Sequence, residues 1–137
     1  VEQDPFEKGL RKILNFGHTI GHAIESMLLH TSSPALHGEA IAAGMVCESL
    51  LSETQSNLSK RESQAIQDLI HKHYPRLAWS DNSEQDLLVF MKQDKKNHSN
   101  KIQFVLLNQI GTAVFDQAVP ESVILKSLGN YSSSSEA

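Results

Sequence analysis

Two histidines stand four residues apart in LNFGHTIGHAIE, residues 14–25, and a third opens HGEA, residues 37–40. Residues i and i+4 share one face of a helix, so His18 and His22 converge on one point if this stretch is helical. That is how H-E-x-x-H helices hold zinc, with Thr19 here in place of the glutamate. The following loop can return His37 to the same place. Leu29 lies about 11 helical residues from His18, roughly 16 Å. The extended chain from Leu29 to His37 spans at most about 26 Å. A catalytic zinc takes three protein ligands and keeps one position for water or substrate. Spacing alone nominates His18, His22 and His37 equally. The rival reading is bland, since two histidines at this spacing also occur as solvated surface residues or satisfied core residues. Gly17 and Gly21, each directly before a histidine, favour a site, because glycine lets a ligand approach the backbone. His30, His71, His73 and His98 fall in loops or on polar helix ends, where a solvated role suffices.

The elements that must position these residues can be read from periodicity. Leu10, Ile13, Leu14, Ile20, Ile24 and Leu28 recur at helical spacing and predict a first helix over 9–29. Gly17 and Gly21 weaken it, and a break at 15–17 fits the pattern. HTSSPAL, residues 30–36, is rich in turn formers. A second helix is expected over 38–53, through a small-residue run, EAIAAGM, that permits close helix packing. Ser59 and Glu62 make the S-x-x-E signature of a capping box opening a third helix to about residue 73. Ser83 opens a fourth, with Leu87, Leu88 and Met91 on one face. The period then changes. KIQFVLL and TAVFDQAV read as two strands around the four-residue turn NQIG. Pro120 suits the first position of a last helix, ESVILKSLG. The expected fold class is mainly α, a multihelical array with one short β-hairpin. It forms one domain over 1–130, and the low-complexity YSSSSEA, 131–137, is expected to be a disordered tail. No strand leads into G-x-G-x-x-G, so the chain carries no dinucleotide-binding fold of its own.

At 137 residues, 39% hydrophobic and 20% charged, the chain has the make-up of a soluble globular domain. A net charge of −4 argues against nucleic acid as the main partner, because phosphate binding calls for a basic surface. No apolar run is long enough to span a membrane, and no signal peptide is visible. The lone Cys47, in the apolar stretch IAAGMVCESLL, suits a reducing cytoplasm and inert packing. The opening VEQDPFEKGL lacks an initiator methionine and reads as a piece of a longer chain.

Three blocks together carry a resemblance: EKGLRKILNFGHTIGHAIE, then HGEAIAAGM, then DKKN before a strand. They resemble the C-terminal half of the 3-dehydroquinate synthase family, from Asp4 to about Asp116. The first two blocks are shared with sister sugar-phosphate cyclases. DKKN, residues 94–97, followed by KIQFVLL and IGT, favours the dehydroquinate synthase branch. The resemblance implies a two-domain cytoplasmic enzyme, generally a homodimer, with an absent N-terminal domain that binds NAD. The helical domain supplies most of the metal and substrate site. The implied reaction converts 3-deoxy-D-arabino-heptulosonate 7-phosphate to 3-dehydroquinate and phosphate in the shikimate pathway. It runs through transient oxidation by NAD, phosphate elimination, reduction and an intramolecular aldol.

The same resemblance separates the three histidines. It implies that His18 and His37 ligate Zn2+ or Co2+, with a glutamate of the absent part as third ligand. It implies that His22 lines the site and serves proton transfer or hydrogen bonding, with Glu7 as a second proton acceptor. Arg11, Asn15 and Lys95 match substrate-binding positions, and Lys12 and Lys96 have weaker claims. These residue types suit the chemistry. Histidine titrates near neutrality, and arginine and lysine supply the positive charge that a carboxylate and a phosphate require. Each also has an ordinary alternative. Glu7 reads equally as a loop carboxylate, Arg11 as a surface ion-pair partner, and Lys95 as a complement to a helix C-terminus. Glu25, three residues after His22, reads as an orienting partner for that ring or as a solvated residue. Glu39 suits the start of a helix. Two other functions stay open: a sister cyclase acting on another sugar phosphate, and a zinc-binding helical module without catalysis.

Overall fold

The computed structural model describes residues 16–29, 31, 34–74, 76, 77, 79, 83–93 and 102–134. Five helices and one hairpin appear there in chain order. They are α1 His18–Leu28, α2 His37–Gln55, α3 Lys60–His73, α4 Ser83–Gln93, β1 Ile102–Gln109, β2 Thr112–Val119 and α5 Glu121–Ser134. The multihelical array with one short β-hairpin is therefore as expected. Among the described residues no helix is long and apolar enough to cross a membrane.

Helix α2 is the axis of the molecule. Ala40, Ala42, Ala43, Gly44, Val46, Cys47, Glu48, Ser49, Leu51 and Ser52 are all buried. Burial on every face is the mark of a helix enclosed by others rather than lying on a surface. Its small residues let α1 approach closely. A Cβ on Gly21 would lie 2.8 Å from Ile41 Cδ1 and 2.9 Å from Ile41 Cα. A Cβ on Gly44 would strike the backbone of Gly17 and Gly21. Gly17 and Gly21 thus serve helix packing, where sequence reading had them admitting a ligand to the backbone. The core continues through Ile20, Ile24, Leu87, Met91, Ile102, Phe104, Leu106, Ile124 and Leu128. Leu87, Leu88 and Met91 of α4 are all buried, as their spacing predicts.

Local chemistry sets the element ends. Helix α2 ends at Gln55 with Ser56 as its cap, and the chain turns away at Asn57, in a left-handed conformation with φ 61°, which asparagine tolerates better than most residues. The Ser56 and Leu58 N–H groups both donate to the Ser52 carbonyl. At α3 the Ser59 hydroxyl accepts the Glu62 N–H at 3.0 Å. The Glu62 carboxylate accepts the Ser59 hydroxyl at 3.3 Å through one oxygen and the Ile110 N–H of the hairpin at 2.6 Å through the other. The hairpin turn is tighter than the four residues expected. Only Ile110 and Gly111 separate the strands, with Gly111 at φ 91°. The register shifts between Phe104 and Leu106 and again between Leu107 and Gln109.

Helix α5 begins at Glu121, with the Pro120 carbonyl accepting from the Ile124 N–H, so Pro120 sits one position before the helix. It continues through Ser134, into the stretch expected to be a disordered tail. The reason is Tyr131, which is 1% exposed. Its ring stacks on Trp79 at 5.1 Å, and its hydroxyl accepts the Leu77 N–H at 2.9 Å. One aromatic anchor carries the helix on through three serines.

Candidate metal centre

The chain enters α1 through Gly17, at φ 87° and ψ −14°. Glycine reaches this left-handed region without the clash a Cβ would meet. Residues 9–15 of the helix expected over 9–29 lie outside the described residues, and no side chain of the capping residue satisfies the N-terminus of α1. Glu48 of α2 takes that role. Its carboxylate accepts the Gly17 N–H at 2.8 Å and the Ile20 N–H at 3.0 Å. Its two oxygens thus satisfy N–H groups that the start of a helix leaves without an intrahelical partner. Glu48 is fully buried, and burial pushes its carboxyl from 4.5 up to about 8, against the two N–H bonds that hold it down. The Thr19 hydroxyl donates to the Gln103 carbonyl at 3.2 Å, tying the same turn to β1.

Around this turn the three histidines meet. The ring centroids of His18 and His22 are 5.0 Å apart, those of His18 and His37 6.2 Å, and those of His22 and His37 6.0 Å. Imidazoles sharing one tetrahedral ion at a metal–nitrogen distance of about 2.1 Å have centroids roughly 5 Å apart. The three rings are therefore clustered at the right scale. Among the described residues, however, no group of three or more His, Cys, Asp or Glu side chains is arranged to hold a metal ion. The equal nomination of all three histidines as one ligand set is not what the geometry gives.

Two observations distinguish the rings. His37, the first residue of α2, has its Nδ1 2.9 Å from Glu25 Oε1. A carboxylate on one nitrogen fixes the tautomer and orientation of an imidazole, leaving Nε2 to bind a cation, as metal-ligating histidines are commonly held. Glu25 thus partners His37, not His22. His22 instead faces a cleft of about 240 Å³ that it lines with Thr19, Ala23, Ser26, Phe90 and Gln93. The donor set of neutral imidazoles backed by a carboxylate suits a borderline divalent ion such as zinc or cobalt.

Glu39 serves the helix start, accepting the Leu36 N–H at 3.0 Å. The Cys47 thiol is raised far above its ordinary range by burial and then by Glu48 and Glu84, so it is an inert packing group. Glu7, Arg11, Asn15 and Lys95, with Lys12, Lys96, His30 and His98, lie outside the described residues. Sequence reading missed Glu48. The signal was present, since a carboxylate inside AGMVCESLL has no solvent to face and must find donors.

Comparison with known proteins follows the same lines. The profile of a protein family described as 3-dehydroquinate synthase C-terminal matches residues 1–97. The 3-dehydroquinate synthase of Parabacteroides distasonis is 41% identical over 131 residues, covering 96% of this chain and 37% of the relative. That of Campylobacter jejuni subsp. doylei is 35% identical over the same coverage. The chain thus spans little more than a third of the curated relatives it matches. Among solved structures, 2-deoxy-scyllo-inosose synthase complexed with carbaglucose-6-phosphate, NAD+ and Co2+ superposes with a TM-score of 0.73 at 24% identity. That match covers 93% of this chain and 36% of the other. The 2-epi-5-epi-valiolone synthase of Streptomyces hygroscopicus, with NAD+ and Zn2+ bound, gives a TM-score of 0.71 at 23% identity, over 97% of this chain and 36% of the other.

Proposed function

The chain belongs to the 3-dehydroquinate synthase family, and from that premise we propose that it is the metal- and substrate-binding part of such an enzyme. The whole enzyme converts 3-deoxy-D-arabino-heptulosonate 7-phosphate to 3-dehydroquinate and phosphate in the cytoplasm, and works as a homodimer. The observation that supports this reading is the cluster of His18, His22 and His37, with ring centroids 5.0–6.2 Å apart, and Glu25 on the His37 Nδ1, beside a cleft lined by His22.

His18 and His37 would hold Zn2+ or Co2+, and the part of the protein preceding this chain would add a third donor and most of the NAD site. When bound, the ion lowers the pKa of a hydroxyl it polarises and prepares the adjoining carbon for hydride transfer to NAD. The remaining roles belong to this chain. Glu25 holds the His37 ring so that Nε2 is its binding nitrogen. His22, at the cleft, takes and returns protons at a ring nitrogen. Glu7 serves as a second proton acceptor. Arg11 offers two parallel N–H donors to a carboxylate or phosphate, Lys95 a point charge, and Asn15 neutral hydrogen bonds.

Phosphate release tests the reading. The full-length enzyme should release phosphate from the heptulosonate phosphate with NAD and a divalent metal present. The 137-residue chain alone should release none under the same conditions. No release by the full-length enzyme, with release from a different sugar phosphate, would move it to a sister cyclase. Turnover by the 137-residue chain alone would contradict the division of labour proposed here.

A further inference from the structure

Helices α1 and α2 run past each other in opposite directions. Gly17, the N-cap of α1, lies against Met45 and Gly44 of α2, and Gly21 of α1 against Ala40 and Ile41. Two carboxylates tie the pair at its two ends. Near the start of α1, Glu48 of α2 accepts the Gly17 and Ile20 N–H groups. Near its end, Glu25 of α1 meets Nδ1 of His37, the first residue of α2. Between them Gly17, Gly21 and Gly44 bring the two backbones together, with the Met45 and Ile41 side chains lying over the glycines. A slip of one residue along either axis moves the helix about 1.5 Å and breaks bonds at both ends.

We infer that Glu48 is a positioning residue for the metal centre: by gripping the Gly17 and Ile20 amides it fixes the turn from which His18 projects and sets its distance from His37. The inference rests on the proposed role of His18 and His37 as ligands. Three facts separate the grip from general core packing. The N-cap Gly17 has no side chain to supply a cap. Glu48 is a fully buried acid whose two oxygens each meet one of the two amides flanking His18 and Thr19. The same helix that carries this acid also carries His37, so one rigid element places both histidines.

The test uses the full-length enzyme with Glu48→Gln, and Leu51→Ala as a control that destabilises the same helix without touching the cap. A glutamine can accept one of the two N–H bonds, but its NH2 group opposes the other. Cobalt affinity is measured from d–d absorption in an equilibrium titration, and hydrogen exchange is followed over the peptide containing Gly17 and Ile20. Glu48→Gln should lower Co2+ affinity about 10- to 100-fold, the range for partners that orient ligands, and should accelerate exchange in that peptide. Leu51→Ala should leave affinity within about twofold of wild type, the added instability being spread over the core rather than the cap. Wild-type affinity and unchanged exchange in Glu48→Gln would overturn the inference, and so would an equal loss of affinity in Leu51→Ala. Failure of the wild-type enzyme to bind Co2+ at all would count against the proposed function instead. The exchange rates then still judge the clamp, which fails if Glu48→Gln leaves them unchanged.

Discussion

His37 and His22 look alike in sequence and differ in what surrounds them. Glu25 occupies one nitrogen of the His37 ring, whereas His22 borders open space. The consequence is a split between metal and rate. In the full-length enzyme, His37→Ala should release the metal, seen as a loss of bound zinc by elemental analysis. His22→Ala should keep its zinc and lose about 10²- to 10⁴-fold in turnover, the usual worth of a positioned acid or base. Equal metal loss in both would restore the equal nomination drawn from spacing. Glu48 gives a second prediction at this scale. Its carboxyl is raised from 4.5 to about 8, so the folded state binds this proton more tightly than the unfolded state does. Its contribution to stability is complete below 4.5 and is lost as pH rises through 8. Urea midpoints should fall between pH 7 and 8, and the fall should be absent in Glu48→Gln. His71, lowered by burial and by Arg76, acts in the opposite sense below its ordinary 6.5, outside that window. The histidine cluster could be read in advance because i, i+4 spacing is local information. The carboxylate–amide grip could not, because its partners lie 31 and 28 positions away in the chain.

At the scale of elements, the site depends on two helices whose backbones meet at glycines. Gly44→Ala tests this directly. Its Cβ would fall 2.6 Å from the Gly21 nitrogen and 2.9 Å from the Gly21 Cα, and backbone atoms cannot swing aside as a flexible side chain can. The helices must separate, at a cost of about 1–3 kcal/mol or more. A urea titration of the full-length enzyme should show that loss, and zinc content should fall with it. Unchanged stability would mean that the close contact is not required. Apolar periodicity made α1 and α4 legible, the capping box opened α3, and the small-residue run marked α2. The small residues of α2 also signalled a close crossing. What escaped was decided by single contacts. A local reading of NQIG allowed a longer turn than Gly111 needs, and the serine-rich composition after Gly129 concealed Tyr131, whose burial against Trp79 carries α5 onward.

At the scale of the whole molecule, the described residues form a packed core beside the proposed metal centre. Its apolar residues close around α2, yet Leu29 and Leu36, at the end of α1 and just before His37, stand 58% and 71% exposed. Two imidazoles can bind a divalent ion, but fewer bonds than a full ligand set leave it held more weakly. A chain matching little more than a third of its relatives and presenting its histidines beside exposed leucines fits a centre finished by another part of the protein. The most direct measurement of this claim is anomalous diffraction at the zinc edge from crystals of the full-length enzyme grown with zinc. The account predicts one strong peak about 2.1 Å from His37 Nε2 and at the same distance from a ring nitrogen of His18, with His22 outside bonding distance. A peak bonded to His22 in place of either ligand, or no peak between the two helices, would contradict it.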